Sequence, residues 1–201
     1  MYDVLIIGGG AAGMSCALVL GSAHQKEFAR DKKIGLIAHQ KASHLQTALF
    51  NNVLGLTPET TGESILKNGL EQLTSLYPHV DQVYHEKVVE VQGKAGDFMV
   101  ITNKTTYMAK IIVIAMGYTN TFFIKGLEHH LEPHAKAKPE KQRIQLKNID
   151  HLVDEGIYVA GTLAGWRSQF AIASGSGASV ATDILTLWNN GEHVKIHDKL
   201  K

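Results

Sequence analysis

The stretch Asp3-Val-Leu-Ile-Ile-Gly-Gly-Gly-Ala-Ala-Gly13 decides the fold of this 201-residue chain. Val4 to Ile7 is an unbroken apolar run, the pattern of a parallel strand covered on both faces. Glycines end the run, and residues 11–23 continue as a helix of small residues. Working outward, residues 33–38 form a second strand, so the chain opens with a strand, helix, strand unit whose crossover is right-handed. Residues 39–58 have no period and read as a long loop with at most one helical turn; long ordered loops in compact domains are usually functional. Thr60-Thr61-Gly62-Glu63 has the form of a capping box. Ile65, Leu66, Leu70, Leu73 and Leu76 follow at helical spacing until Pro78 stops them.

Further on, residues 86–91, 98–102 and 107–115 have strand character, with Gly93 and Gly96 supplying a turn. Residues 120–150 are charged, His-rich and the least patterned. Gly156-Ile-Tyr-Val-Ala-Gly161 is another buried-type strand, and a small-residue helix runs over residues 169–188. The expected fold class is α/β, a Rossmann-like domain with a parallel sheet, flanking helices and a small β-meander, forming a single domain over residues 1–201.

Composition narrows the function classes. The chain is 44% hydrophobic and 19% charged with a formal net charge of +1, which excludes disorder and a collagen-like repeat. A near-neutral balance argues against a nucleic-acid or anionic-membrane surface, since those need clustered Lys and Arg. The basic residues Lys136, Lys138, Lys141 and Arg143 alternate with Pro and Glu and read as a solvated face. The single cysteine, Cys16, cannot close an internal disulfide. The apolar N-terminus lacks a basic leader and is broken by glycines, and no uninterrupted apolar run is long enough for a membrane span. A cytoplasmic location is therefore expected.

The glycine motif carries the chemistry. Gly8-Gly9-Gly10-Ala11-Ala12-Gly13 satisfies G-x-G-x-x-G between a buried strand and a helix, the context in which it binds a dinucleotide. Gly8 permits the tight turn, Gly10 lets backbone approach a pyrophosphate, and Gly13 allows close packing of helix on strand. The helix N-terminus adds free N–H groups and a positive dipole end. The carboxylate expected about 20 residues on, at the end of the second strand, is missing. That strand ends at Ala38-His39-Gln40, leaving His39 or Gln40 as neutral partners for a ribose hydroxyl. His129-His130-Leu-Glu-Pro-His134 has a metal-like look, but Pro133 breaks the helix that would align His130 with His134, so a solvated loop is expected and no metal site.

Four blocks in order resemble the flavin-binding half of the thioredoxin reductase-like pyridine nucleotide-disulfide oxidoreductases. Asp3 to Gly13 resembles the first fingerprint. His44-Leu-Gln-Thr47 to Asn52-Val-Leu-Gly55 resembles the loop that passes the flavin. Ile112-Val-Ile-Ala-Met-Gly117 resembles the Ala-Thr-Gly strand with Met116 for Thr. Gly156 to Gly161, followed by Gln169-Phe-Ala-Ile-Ala-Ser-Gly-Ser-Gly177, resembles the Gly-Asp motif and its terminal helix. The resemblance implies FAD as cofactor, with NADPH or NADH as a transient electron donor. It places Gly8, Gly10, Ala12 and Gly13 at the pyrophosphate, His39 near the adenosine ribose, Asn52 near the flavin ring and Val88 at adenine. It sets Met116 and Gly117 beside the dinucleotide, Gly161 and Thr162 near the ribityl and phosphate groups, and Gln169 and Phe170 at the flavin pyrimidine edge.

The departures shape the expected function. Thr162 stands where the family has Asp, the Cys-x-x-Cys pair is absent, and Gly117 and Gly161 lie only 161 − 117 = 44 positions apart, where the family inserts its nicotinamide domain. Cys16 reads as a buried apolar residue rather than a redox centre. No side chain stands out as an acid, base or nucleophile, so catalytic residues remain unassigned. The expectation is a single-domain FAD-dependent oxidoreductase reduced by NAD(P)H or by a partner protein, acting on a small molecule or a redox protein, with homodimerisation compatible with the missing domain. The alternative is a non-catalytic dinucleotide-binding module or a subunit of a larger complex. A short dehydrogenase-like NAD protein fits least, because no Tyr-x-x-x-Lys pair stands in a suitable helix.

Overall fold

The structure, a computed structural model, describes residues 1–40, 43–117 and 121–197. The chain begins with β1 (Val4–Ile7), α1 (Ala11–Ser22) and β2 (Ile34–Ala38), then the short pair β3 (Leu49–Phe50) and β4 (Thr60–Thr61), α2 (Gly62–Leu76) and β5 (Val80–Tyr84). It continues with β6 (Val88–Lys94), β7 (Asp97–Thr102), β8 (Thr106–Ala109) and β9 (Ile112–Ile114). The last part contains β10 (Leu131–Pro133), β11 (Ile144–Leu146), β12 (Leu152–Asp154), β13 (Ile157–Val159) and α3 (Phe170–Trp188).

Among the described residues, six strands form the main sheet in the order β12-β13-β9-β1-β2-β5. All neighbours are parallel except β12, which runs antiparallel to β13 at the edge. The apolar run of β1 has its physical reason here. Val4 and Ile6 join the core under the helices, whereas Leu5 and Ile7 join the core on the opposite face, beneath the meander β6-β7-β8. A strand covered on both sides has no position for a polar side chain, and each fully buried Leu or Ile contributes about 1.5–3 kcal/mol.

The helices cover one face. α1 and α3 cross so closely that a Cβ on Gly177 would lie 1.9 Å from the Ala12 carbonyl oxygen. α2 packs beside α1 and is capped one residue later than the box Thr60 to Glu63 predicts, Thr61 Oγ1 accepting the Ser64 N–H at 3.2 Å while Thr60 Oγ1 donates to the Thr57 carbonyl. By length and composition α3 is apolar enough to cross a membrane, which a search for uninterrupted apolar runs passes over because Gly and Ser interrupt it. In the fold, Val180, Ala181, Ile184 and Leu185 of α3 are buried in the core shared with α1.

Three expectations need correction. Residues 107–115 are not one strand. The chain leaves the meander after Ala109 and enters the main sheet at Ile112, and at the break the Lys110 N–H bonds to the Tyr2 carbonyl while its ammonium reaches Asp3 at 2.9 Å. The unpatterned residues 120–150 contain the hairpin β10–β11, with Leu131 opposite Leu146. The histidine segment is not simply a solvated loop, since His134 is buried.

Candidate functional site

A cavity of roughly 590 Å³ opens at the C-terminal ends of β1, β2, β9 and β13, the position at which parallel α/β sheets bind ligands. Of the residues singled out in the sequence, Gly8, Gly10, Ala12, His39, Asn52, Val88, Met116, Gly117, Gly161, Thr162, Gln169 and Phe170 all line it. Gly13 lies behind the wall. A Cβ there would fall 1.8 Å from the Gly8 carbonyl oxygen, so Gly13 serves the packing of α1 on the turn rather than ligand contact.

Two glycine turns build the floor. In the first, Gly8 has φ +122 and a Cβ on it would meet the Ala115 carbonyl oxygen at 2.6 Å, so only glycine fits. Gly10 is different. Its φ is −84, open to any residue, and a Cβ would meet nothing nearer than Ser43 Oγ at 4.0 Å. Neither backbone nor packing asks for glycine there. Gly10 is also the N-cap of α1, and it supplies no side-chain acceptor to the helix N–H groups, while no acidic residue occupies the first turn. The helix therefore presents donors and a positive dipole end to the cavity. The second turn, from Gly161 to Gly165, precedes α3, whose N-cap Gln169 accepts the Ala171 N–H at 2.6 Å.

The walls add aromatic and charged groups that sequence reasoning did not single out for the site. Phe50 and Phe170 line the cavity side by side and pack on one another, with ring centroids 5.2 Å apart at a tilt of 51°. Lys87 sits over the Phe123 ring at 3.8 Å, and both line the opposite end with Val88. Arg143, from the β10–β11 hairpin, also lines it. Glu86 matters most among these. β5 pairs with β2 in parallel, Tyr84 opposite Ala38, so the segment after β5 brings an acid to the sheet end where the carboxylate after β2 is missing. Its oxygens accept from Thr102 Oγ1 at 2.7 Å and from the Tyr107 hydroxyl at 3.0 Å. Burial, followed by the bond to Glu86, raises the Tyr107 phenol above its ordinary value. The signal for Glu86 lay in β5, whose apolar residues Val80 and Val83 are three apart and show no strand alternation.

Elsewhere the chemistry is quiet. Cys16 is fully buried in α1 and burial pushes its thiol pKa up, against the direction that a reactive thiolate requires. Among the described residues no His, Cys, Asp or Glu group is placed to hold a metal ion. His129 and His130 pack on one another with ring centroids 3.9 Å apart, while His134 turns inward and lies 2.9 Å from the Thr162 carbonyl oxygen.

The sequence profile of the pyridine nucleotide-disulphide oxidoreductases matches residues 2–162. The chain belongs to this family. Relatives include ferredoxin–NADP reductase 1 of Listeria welshimeri, 31% identical over 163 residues that cover 80% of this chain and 47% of the reductase. The ferredoxin–NADP reductase of Leuconostoc mesenteroides is 26% identical over 195 residues, 96% of this chain and 51% of the reductase. The chain thus spans about half the length of the curated relatives it matches. Its fold is that of an oxidoreductase from Agrobacterium tumefaciens (TM-score 0.72, 16% identity, 95% of this chain and 99% of that one). A thioredoxin reductase from Gloeobacter violaceus is equally similar (TM-score 0.72, 14% identity, 100% and 98%). The family is one of FAD-dependent oxidoreductases that also use NAD(P)H. Within it, this sequence stands apart by its lone Cys16 and the lack of a Cys-x-x-Cys pair.

Proposed function

We propose that the chain is a single flavin domain that binds one FAD in extended form along the cavity and uses it for electron transfer, with electrons from NAD(P)H or from a redox protein. The observation that carries this reading is Gly10, a glycine required by neither its φ of −84 nor its packing. A ligand backbone lying against Cα explains it. The uncapped N–H groups of α1 suit the pyrophosphate, and Gly161, Thr162 and the α3 N-terminus would face the ribityl chain and the pyrimidine edge of the flavin. Phe50 and Phe170, packed on one another, would border the ring system on one side and exclude water there. When bound, the flavin supplies the redox chemistry, and the dipole of α3 stabilises negative charge at the pyrimidine edge.

The 43 residues between Gly117 and Gly161 (161 − 117 − 1) are too few for a second nucleotide domain, so a nicotinamide would not be brought to the flavin by a domain inserted there. The ferredoxin–NADP reductase relatives support a redox protein as the other partner.

The test compares wild type with Gly10→Ala. Wild type should take up added FAD and become yellow. Gly10→Ala should unfold at the same temperature as wild type yet lose at least about tenfold in FAD affinity, the equivalent of 1.4 kcal/mol. A wild-type protein that stays colourless with added FAD sinks the reading. A second reading, a non-catalytic dinucleotide module, is favoured by the absence of an acid after β2. A protein that binds FAD but is bleached anaerobically by neither NADH, NADPH nor a reduced ferredoxin would favour it.

A further inference from the structure

The second glycine turn is held from outside the cavity by side chains that face away from it. Ser176 on α3 accepts the Gly161 N–H at 2.8 Å and lies 2.9 Å from His151 Nε2. Trp166 Nε1–H donates to the same His151 nitrogen at 3.1 Å, its ring stacked on the imidazole at 27°. His151 and Ser176 are 7% and 6% exposed, whereas Trp166 is 41% exposed. Lys136 lies over the indole at 4.3 Å. On the carbonyl side, His134 bonds to the Thr162 oxygen through Nε2, while its Nδ1 accepts the Lys136 N–H at 3.1 Å.

These partners dictate protonation. An indole N–H can only donate, so His151 Nε2 carries a lone pair and its proton is on Nδ1. The Ser176 hydroxyl, 2.9 Å from the same nitrogen, then shares that one lone pair with the indole as a second donor, leaving its oxygen to accept from Gly161. The Trp166 bond exists only while His151 is neutral, whereas the Ser176 oxygen, with two lone pairs, accepts from Gly161 in either state. A proton on Nε2 would oppose the Trp166 donor and reverse the Ser176 bond. Trp166 lies between Thr162 and the residues Ser168, Gln169 and Phe170, all of which line the cavity.

Resting on the flavin reading above, we propose that His151, Ser176 and Trp166 are positioning residues that hold the Gly161–Phe170 wall of the cofactor site only while His151 is neutral, which makes cofactor retention pH-dependent. The charged groups facing the imidazole are Asp183 on α3, Asp150 beside it in the chain, and Lys136 across the indole. The two carboxylates favour the cation, but burial outweighs them and holds His151 below 6.5. The relay is therefore closed at neutral pH and opens on acidification below that value.

FAD affinity, followed by flavin fluorescence between pH 7.5 and 5.5, reads the relay. Wild type should lose affinity towards the acid end of this range, at a slope of no more than about tenfold per pH unit for one coupled proton. His151→Gln, which keeps a side-chain acceptor but cannot take the proton, should change by less than about twofold. His134 is present in every variant, so the difference isolates His151. Trp166→Phe removes the opposing donor at a partly exposed position and should move the midpoint to higher pH. In a Trp188→Phe background, Trp166 emission should show a step at the same midpoint, abolished by His151→Gln. FAD binding with equal slopes in wild type and His151→Gln, or an unmoved midpoint in Trp166→Phe, overturns the relay alone. Absence of FAD uptake by wild type at pH 7.5 overturns the flavin reading and the relay's role with it.

Discussion

The two glycine turns that floor the cavity do the same geometric work by opposite means. The first, Gly8 to Gly13, is locked by main chain against main chain: Gly13 against the Gly8 carbonyl and Gly8 against Ala115. Nothing in that lock titrates. The second, Gly161 to Gly165, is locked by the side chains of His134, His151, Trp166 and Ser176, drawn from four segments of the chain. A steric lock is rigid and insensitive to conditions, whereas a hydrogen-bonded lock is adjustable through the protonation of its members.

Substitutions that break each lock should separate them. The largest effect is expected for Gly13→Ala, whose Cβ would lie 1.8 Å from a backbone oxygen. No flexible group there can give way, and the cost should be about 3 kcal/mol or more in denaturant unfolding. A loss under about 1 kcal/mol would mean that the first turn can widen after all. Ser176→Ala should cost about 2 kcal/mol, because it leaves the buried Gly161 N–H without its acceptor. Chemical denaturation at pH 8, where His151 is neutral, measures this; an unchanged midpoint would show the turn to be held elsewhere.

Acidification comes next. His151 has a lower pKa in the fold than its ordinary 6.5, so the unfolded chain binds the proton first. This contribution is fully present above about 6.5 and is lost as pH falls from there towards the folded value, by at most about 1.4 kcal/mol per pH unit. The stability difference between wild type and His151→Gln should be constant above pH 7.5 and change below pH 6.5. Parallel curves throughout would remove the contrast between the two turns. The smallest effect is expected for Gly10→Ala, within about 0.5 kcal/mol of wild type. A larger loss would transfer Gly10 from the ligand to the fold.

The same contrast explains what could be read in the sequence. The first turn was legible because its requirements are local: an apolar run, glycines at fixed offsets and a helix start all lie between Val4 and Ser22. The fold class followed from it, whereas the cavity-lining positions at the ends of β9 and β13 came from the family resemblance of their motifs. The second lock was not legible. No spacing connects residues 134, 151, 166 and 176; only the packing of the β10–β11 hairpin and α3 brings them to one turn. β5 escaped for a related reason. An edge strand pairs on one side only, and the partial burial of Val80-Asp-Gln-Val-Tyr84 relaxes the alternation that marks a strand. With β5 went Glu86, the one acid among the cavity-lining residues.

Ala12 links the two locks. Its carbonyl oxygen lies where a side chain on Gly177 would begin, and its methyl group is 3.1 Å from where one on Gly161 would begin. Residues separated by most of the chain thus meet across one alanine, and the consequence falls on biosynthesis. A nascent chain that has emerged through β9 can form β1, α1 and the first turn, but the cradle lacks its other wall until α3 has cleared the ribosome. Capture of a dinucleotide in this cavity would then wait for the synthesis of α3, and until that moment the apolar faces of α1 and β1 are without the elements that cover them.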